Sequence, residues 1–198
     1  MPSQKTEKLK KIKEEVIELK ESPLYNYRKD NEYFPVIGEG DHDADLMLIG
    51  EAPGENEAKT GRPFCGRAGQ ILNEMFEEVG INREDTYITN IVKDRPPENR
   101  DPTPNEITLY GPFLDRQIKI IEPKIIATLG RFSANYVLKK FSFGNNFSIS
   151  KINGDVFKRE DLSFKIIPLF HPAATIYTRS RRDDLVEDFK KVKKILSQ

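Results

Sequence analysis

Cysteine, net charge and long apolar runs are all scarce in this chain. Its single cysteine, Cys65, excludes an internal disulfide. It also excludes any metal or iron–sulfur site built wholly from the cysteines of one chain. The 32 Lys and Arg residues cancel the 32 Asp and Glu, so no global cationic charge marks the chain for nucleic acid. Such contacts would have to come from local clustering. No apolar run approaches the roughly 20 residues of a membrane span. The opening MPSQKTEKLKKIKEE has no apolar core after its charges, so no secretory signal is predicted. A reducing, cytoplasmic setting away from membranes fits this cysteine usage. Only two histidines occur, which makes the place of each informative.

What is present is a pattern of short apolar runs separated by helical periodicities. At 198 residues the chain is sized for one good core, so a single domain over 1–198 is expected, with residues 1–22 supplying an N-terminal helix packed on it. In that helix Leu9, Ile12, Val16 and Leu19 recur at helical spacing, and Pro23 ends it. Four runs read as buried strands: 45–50, 86–90, 124–129 and 164–169. Helical patterns occupy 68–79, 105–121, 132–139 and 181–196, while 140–162 reads as irregular or a hairpin. Strands alternating with helices predict an α/β fold with a four-stranded, mainly parallel sheet.

Ligands in such sheets bind beyond the carboxyl ends of the strands. The residues there are Glu51-Ala52-Pro53-Gly54 after the first strand, Asn90 at the end of the second, Gly130-Arg131 after the third and His171-Pro172 after the fourth. One Glu, one Asn and one His therefore converge on one rim. A Glu orients water or stabilises a developing cation. An Asn presents a donor and an acceptor in one plane, as the edge of a nucleobase requires. A His donates to an oxygen that gains negative charge. Phe64, in Gly61-Arg62-Pro63-Phe64, offers a ring on which a flat base can stack. His42, in Gly40-Asp41-His42-Asp43, reads as a solvated turn residue, and Cys65 as a small packing residue.

Three segments in order, GEAPGENEAKTGRPFCGRAGQIL (50–72), YITNIVKDRPPENRDPTPNE (87–106) and FHPAA (170–174), resemble the family 4 uracil-DNA glycosylases. The likeness runs from about Pro23 to Lys190. It implies a three-layer α/β/α sandwich that hydrolyses the bond between uracil and deoxyribose in DNA and leaves an abasic site. By the same resemblance Asn90 reads the uracil edge, Phe64 stacks on the flipped base and His171 bonds the oxygen that turns negative. Glu51 positions water or stabilises the oxocarbenium-like sugar, the backbone of Ala52 and Pro53 lines the pocket, and Glu57 crowds C5 against thymine. The catalytic set is thus Glu51, Asn90 and His171. The segment Ala173–Tyr177 would fill the vacated stack with Ile176 or Tyr177.

The chain departs from the family where members hold a [4Fe–4S] cluster on four cysteines. Those four places carry Leu19, Ser22, Asp94 and Tyr110, so no iron–sulfur cluster and no other cofactor or metal is expected. The run Arg67–Leu72 lacks the histidine-bearing insertion with which some relatives join covalently to DNA, and no motif lysine is placed for a Schiff base. Arg95, Arg100, Arg179, Arg181 and Arg182 are the expected phosphate contacts, making a local cationic strip with salt-dependent binding. The expected partner is uracil-containing DNA, met by a monomer. Two alternatives stay open at this point: a non-catalytic base-binding homologue, and a glycosylase for another deaminated base.

Overall fold

A computed structural model describes residues 3–176 and 179–198 of the chain. Helix α1 (Gln4–Ile17) is capped by the Ser3 hydroxyl, and a short α2 (Tyr25–Asp30) follows it. The sheet has five strands: β1 (Glu39–Gly40), β2 (Leu46–Gly50), β3 (Thr86–Asn90), β4 (Ile125–Leu129) and β5 (Lys165–Leu169). Their order is β1-β3-β2-β4-β5. The four expected strands are parallel, and the fifth, β1, is an antiparallel edge on β3. This corrects the predicted count of four. With only two residues, one of them glycine, β1 carries no apolar alternation by which a sequence could reveal it.

The helices between these strands are α3 (Glu55–Thr60) and α4 (Arg67–Val79) before β3, and α5 (Pro104–Ile121) before β4. Helices α6 (Arg131–Lys140) and α7 (Ile149–Ile152) come before β5, and α8 (Arg179–Leu196) closes the chain. Alternation along each strand builds two cores. Met47, Ile49, Tyr87, Ile126 and Ile166 pack with α1, α5 and α6 on one face. Leu46, Leu48, Ile88, Ala127 and Ile167 pack with α4 and α8 on the other. The result is the expected α/β/α layering.

The chain leaves β2 for β3 through α4 on one face, then crosses back over β2 to β4 through α5 on the opposite face. Connections on opposite faces moving in opposite directions share one hand. They also make the carboxyl end of β2 the place where neighbouring loops part, which is where an open sheet offers a crevice. Register brings the strand ends level there: Gly50 pairs with Asn90, and Leu129 with Leu169.

Candidate active site

The loops beyond β2, β3 and β5 surround a cavity of about 400 Å³, whose walls include Glu51, Ala52, Pro53, Gly54, Glu57, Phe64, Asn90 and His171. The residues expected to read and release a base therefore meet at one place. The floor depends on Gly50. A Cβ there would sit 2.7 Å from the Phe64 ring and would collide with Asn90 Oδ1. Glycine lets the Asn90 amide and the Phe64 ring approach across the end of β2.

Asn90 is 2% exposed, and its Oδ1 is a buried acceptor with no partner. A buried acceptor without a bond costs roughly 1–3 kcal/mol. Such a group at the base of a cavity is set for an N–H that the protein does not supply. Phe64, 6% exposed, holds a left-handed backbone (φ 47°), which is strained for a bulky residue. Two contacts hold that turn. Glu57 Oε1 accepts the backbone N–H groups of Cys65 and Gly66 at 3.0 and 2.7 Å. Gly69 lets α4 lie against the Phe64 carbonyl, where a Cβ would clash. The Glu57 carboxylate thereby sits at the N-terminus of α4, where a negative charge complements the helix dipole.

His171 caps the turn Pro172–Thr175, and its Nδ1 accepts the N–H of Ala173 at 3.2 Å. The ring proton is thereby assigned to Nε2. Burial pulls the His171 pKa down to about 4 against the opposing charge of Glu57. The ring is neutral near pH 7 and keeps one N–H to donate. Phe64 lies beside it, ring centres 5.9 Å apart. Glu51 is raised to about 7, first by burial, then by Asp101, against the opposing charge of Arg131. Arg131 and Asp101 are themselves paired.

The cationic strip is altered. Arg95 is expected at phosphate but is only 9% exposed. Its guanidinium donates to Asn99 Oδ1 at 2.8 Å and Tyr33 Oη at 2.6 Å, and it pairs with Glu55. It braces the loop from within, because that loop folds its charged residue back under Tyr33. Arg100 grips the buried Glu106 carboxylate of the α5 capping box while still lining the cavity. Arg182 pairs with Glu78, and Arg181 lies over the Phe170 ring at 5.3 Å. Ile176 ends the Pro172–Thr175 turn, half-buried. Tyr177 and the Arg179 side chain lie outside the described residues. Arg67 and Asn99 also line the cavity, and sequence reading missed both. Arg67 opens α4, and the GRAG step could have flagged it.

Around the places where the resemblance implies cluster ligands, the chain builds a polar network. Ser22 Oγ lies 2.8 Å from Tyr110 Oη, and that hydroxyl donates to Asp94 Oδ2 at 2.6 Å. Arg28 completes the group, with its guanidinium 3.1 and 3.2 Å from the two Asp94 oxygens and further bonds to the Val16 and Ile17 carbonyls. Leu19 packs against the core. Two hydroxyls, one carboxylate, one alkyl group and an interposed guanidinium do not fit an iron–sulfur cluster. Cys65 is elsewhere, beside Thr60. Among the described residues no cluster of His, Cys, Asp and Glu is arranged to hold a metal ion, and no helix is long and apolar enough to cross a membrane.

Residues 37–196 match the family model described as the Uracil DNA glycosylase superfamily. The chain belongs to that superfamily. It is 49% identical over 191 residues to a type-4 uracil-DNA glycosylase of Sulfurisphaera tokodaii, covering 94% of this chain and 84% of that one. It is 46% identical over 189 residues to a type-4 uracil-DNA glycosylase of Saccharolobus solfataricus, covering 94% and 85%. The Thermotoga maritima type-4 enzyme is 44% identical over 165 residues, covering 82% of this chain and 83% of its own.

Proposed function

We propose that this superfamily member is a monofunctional uracil-DNA glycosylase that hydrolyses the deoxyuridine N-glycosidic bond in DNA. The observation that carries the reading is the unpartnered, buried Asn90 Oδ1 at the floor of the cavity. The N3–H of uracil is the donor it lacks, and the amide nitrogen suits the adjoining carbonyl. A base reaches such a floor only by leaving the stack, at a cost of a few kcal/mol. Phe64 covers its face, and Ile176, at the end of the turn that begins at His171, is the residue offered to refill the stack.

Uracil departs as an anion. The neutral His171, with its proton on Nε2, donates to the oxygen that gains charge. One such preorganised donor lowers the barrier by roughly 3 kcal/mol. Ionised Glu51 orients the attacking water or balances the positive sugar. Glu57 holds the Phe64 turn and walls the cavity, the side from which a C5 methyl would be refused. We further propose that the chain works without an iron–sulfur cluster, as a monomer, in an intracellular setting with DNA as its substrate.

The test is incubation with uracil-containing oligonucleotides, followed by alkali. Strand cleavage by the unmodified chain, reduced about 100-fold or more in Asn90→Ala and His171→Ala, is expected. Cleavage of hypoxanthine but not uracil substrates would reassign the base. No cleavage of any deaminated substrate, with retained DNA binding, would make this a binding homologue.

A further inference from the structure

Lys93 is fully buried, 0% exposed, and plays no part in the chemistry above. A lysine at such depth ordinarily pairs with a carboxylate, yet its bonded partners are all neutral. Nζ donates to Thr89 Oγ1 at 2.8 Å, to the Asn90 carbonyl at 2.6 Å, and to Gln117 Oε1. Those partners are themselves anchored. The Thr89 hydroxyl donates to the Ile37 carbonyl at 2.6 Å. The Gln117 amide donates to the same carbonyl at 2.8 Å and to Tyr87 Oη at 3.0 Å. The cage therefore ties α5 and the segment before β1 to the last two residues of β3.

Its geometry singles out Asn90. That residue is the last register pair of β3, opposite Gly50, and the chain then turns along β2 through Ile91 and Val92, whose N–H groups bond Gly50 and Glu51. The carbonyl of a strand's last residue is the ladder acceptor most open to fraying. Lys93 reaches back three residues and closes on that carbonyl. The backbone of Asn90 is thus held before any base arrives, while Gly50 leaves its side-chain amide room at the strand end.

We propose that Lys93 is a positioning residue for base recognition, fixing Asn90 so that uracil is read without reorganisation. The inference rests on the uracil reading of Asn90. Its test is a double-mutant cycle. Lys93→Met keeps the length of the side chain and removes the donors. It should slow single-turnover uracil excision about tenfold, the scale of one lost bond to a positioned group. It should weaken inhibition by free uracil by a similar factor, while affinity for uracil-free duplex stays within about twofold. In an Asn90→Ala background the same substitution should add less than about twofold. An equal loss in both backgrounds, or a lower melting temperature with uracil inhibition unchanged, would overturn the proposal. Should Lys93→Met fail to fold, Thr89→Val removes one anchor of the amine and is read through the same cycle. Inactivity of the unmodified chain on uracil would instead sink the functional reading and is a separate result.

Discussion

The site's chemistry rests on single groups whose charge is set by burial. Glu51 is the clearest, because its carboxyl is held near pH 7, above its ordinary value of 4.5, by burial first and Asp101 second. A folded-state pKa raised above the unfolded one means that the folded chain binds the proton more tightly. That contribution to stability is full below about 4.5 and is lost as pH rises through about 7. The ionised form, on which the proposed role of Glu51 depends, is thus the form the fold disfavours. Glu51→Gln should melt close to the unmodified chain at about pH 5 and above it at about pH 8, while excising poorly at both. Excision by the unmodified chain should rise with pH through about 7. His171 has no such ascending limb in that range, since its pKa near 4 leaves it neutral throughout. Melting curves that differ equally at the two pH values would remove Glu51 ionisation as the destabilising term.

Among the elements, the connection between α1 and the loop beyond β3 holds the polar group at the places where the resemblance implies cluster ligands. The Arg28–Asp94 pair, with side chains 4% and 1% exposed, joins the carbonyl end of α1 to that loop, and Tyr110 and Ser22 complete the bonding. A buried pair is costly to break from one side, about 3–5 kcal/mol, and far cheaper to replace whole. Asp94→Ala should therefore lower stability by that amount, and Arg28→Met with Asp94→Leu should recover much of it, in a chain that purifies without stoichiometric iron. Recovery of Asp94→Ala by added iron and sulfide would point back to a cluster. These elements also show what the sequence made legible. The four parallel strands were plain because each is a short run almost wholly buried, largely apolar in β2 and β4, with Tyr87 and Ile88 in β3 and Ile166 and Ile167 in β5. The convergence of Glu51, Asn90 and His171 followed from strand ends alone. Helix α3, ENEAKT, was missed because it has one buried residue, Ala58, and hence no periodicity. Lys93 was missed for the opposite reason. A lysine reads as solvent-exposed until the cage of Thr89, Gln117 and Ile37, distant in sequence, is assembled around it. Arg95 misled for the same cause, since nothing local tells a braced arginine from a free one.

At the scale of the whole molecule, a net charge of zero leaves DNA binding to a few cations on the cavity rim. Arg95, Arg100 and Arg182 are already paired with Glu55, Glu106 and Glu78, which thins the strip that the sequence suggested. Arg67 stands apart. It opens α4 at the cavity wall and is exposed, a position suited to contact with a backbone phosphate. Each neutralised phosphate contributes a salt slope of about 0.9, so two or three contacts give a slope of roughly 2 to 3. Arg67→Ala should weaken binding at low salt, reduce the slope of log affinity against log salt by about one, and do so alike for uracil-containing and uracil-free duplex. A loss confined to uracil-containing DNA, with the slope unchanged, would place Arg67 against the flipped nucleotide and leave the backbone to other cations.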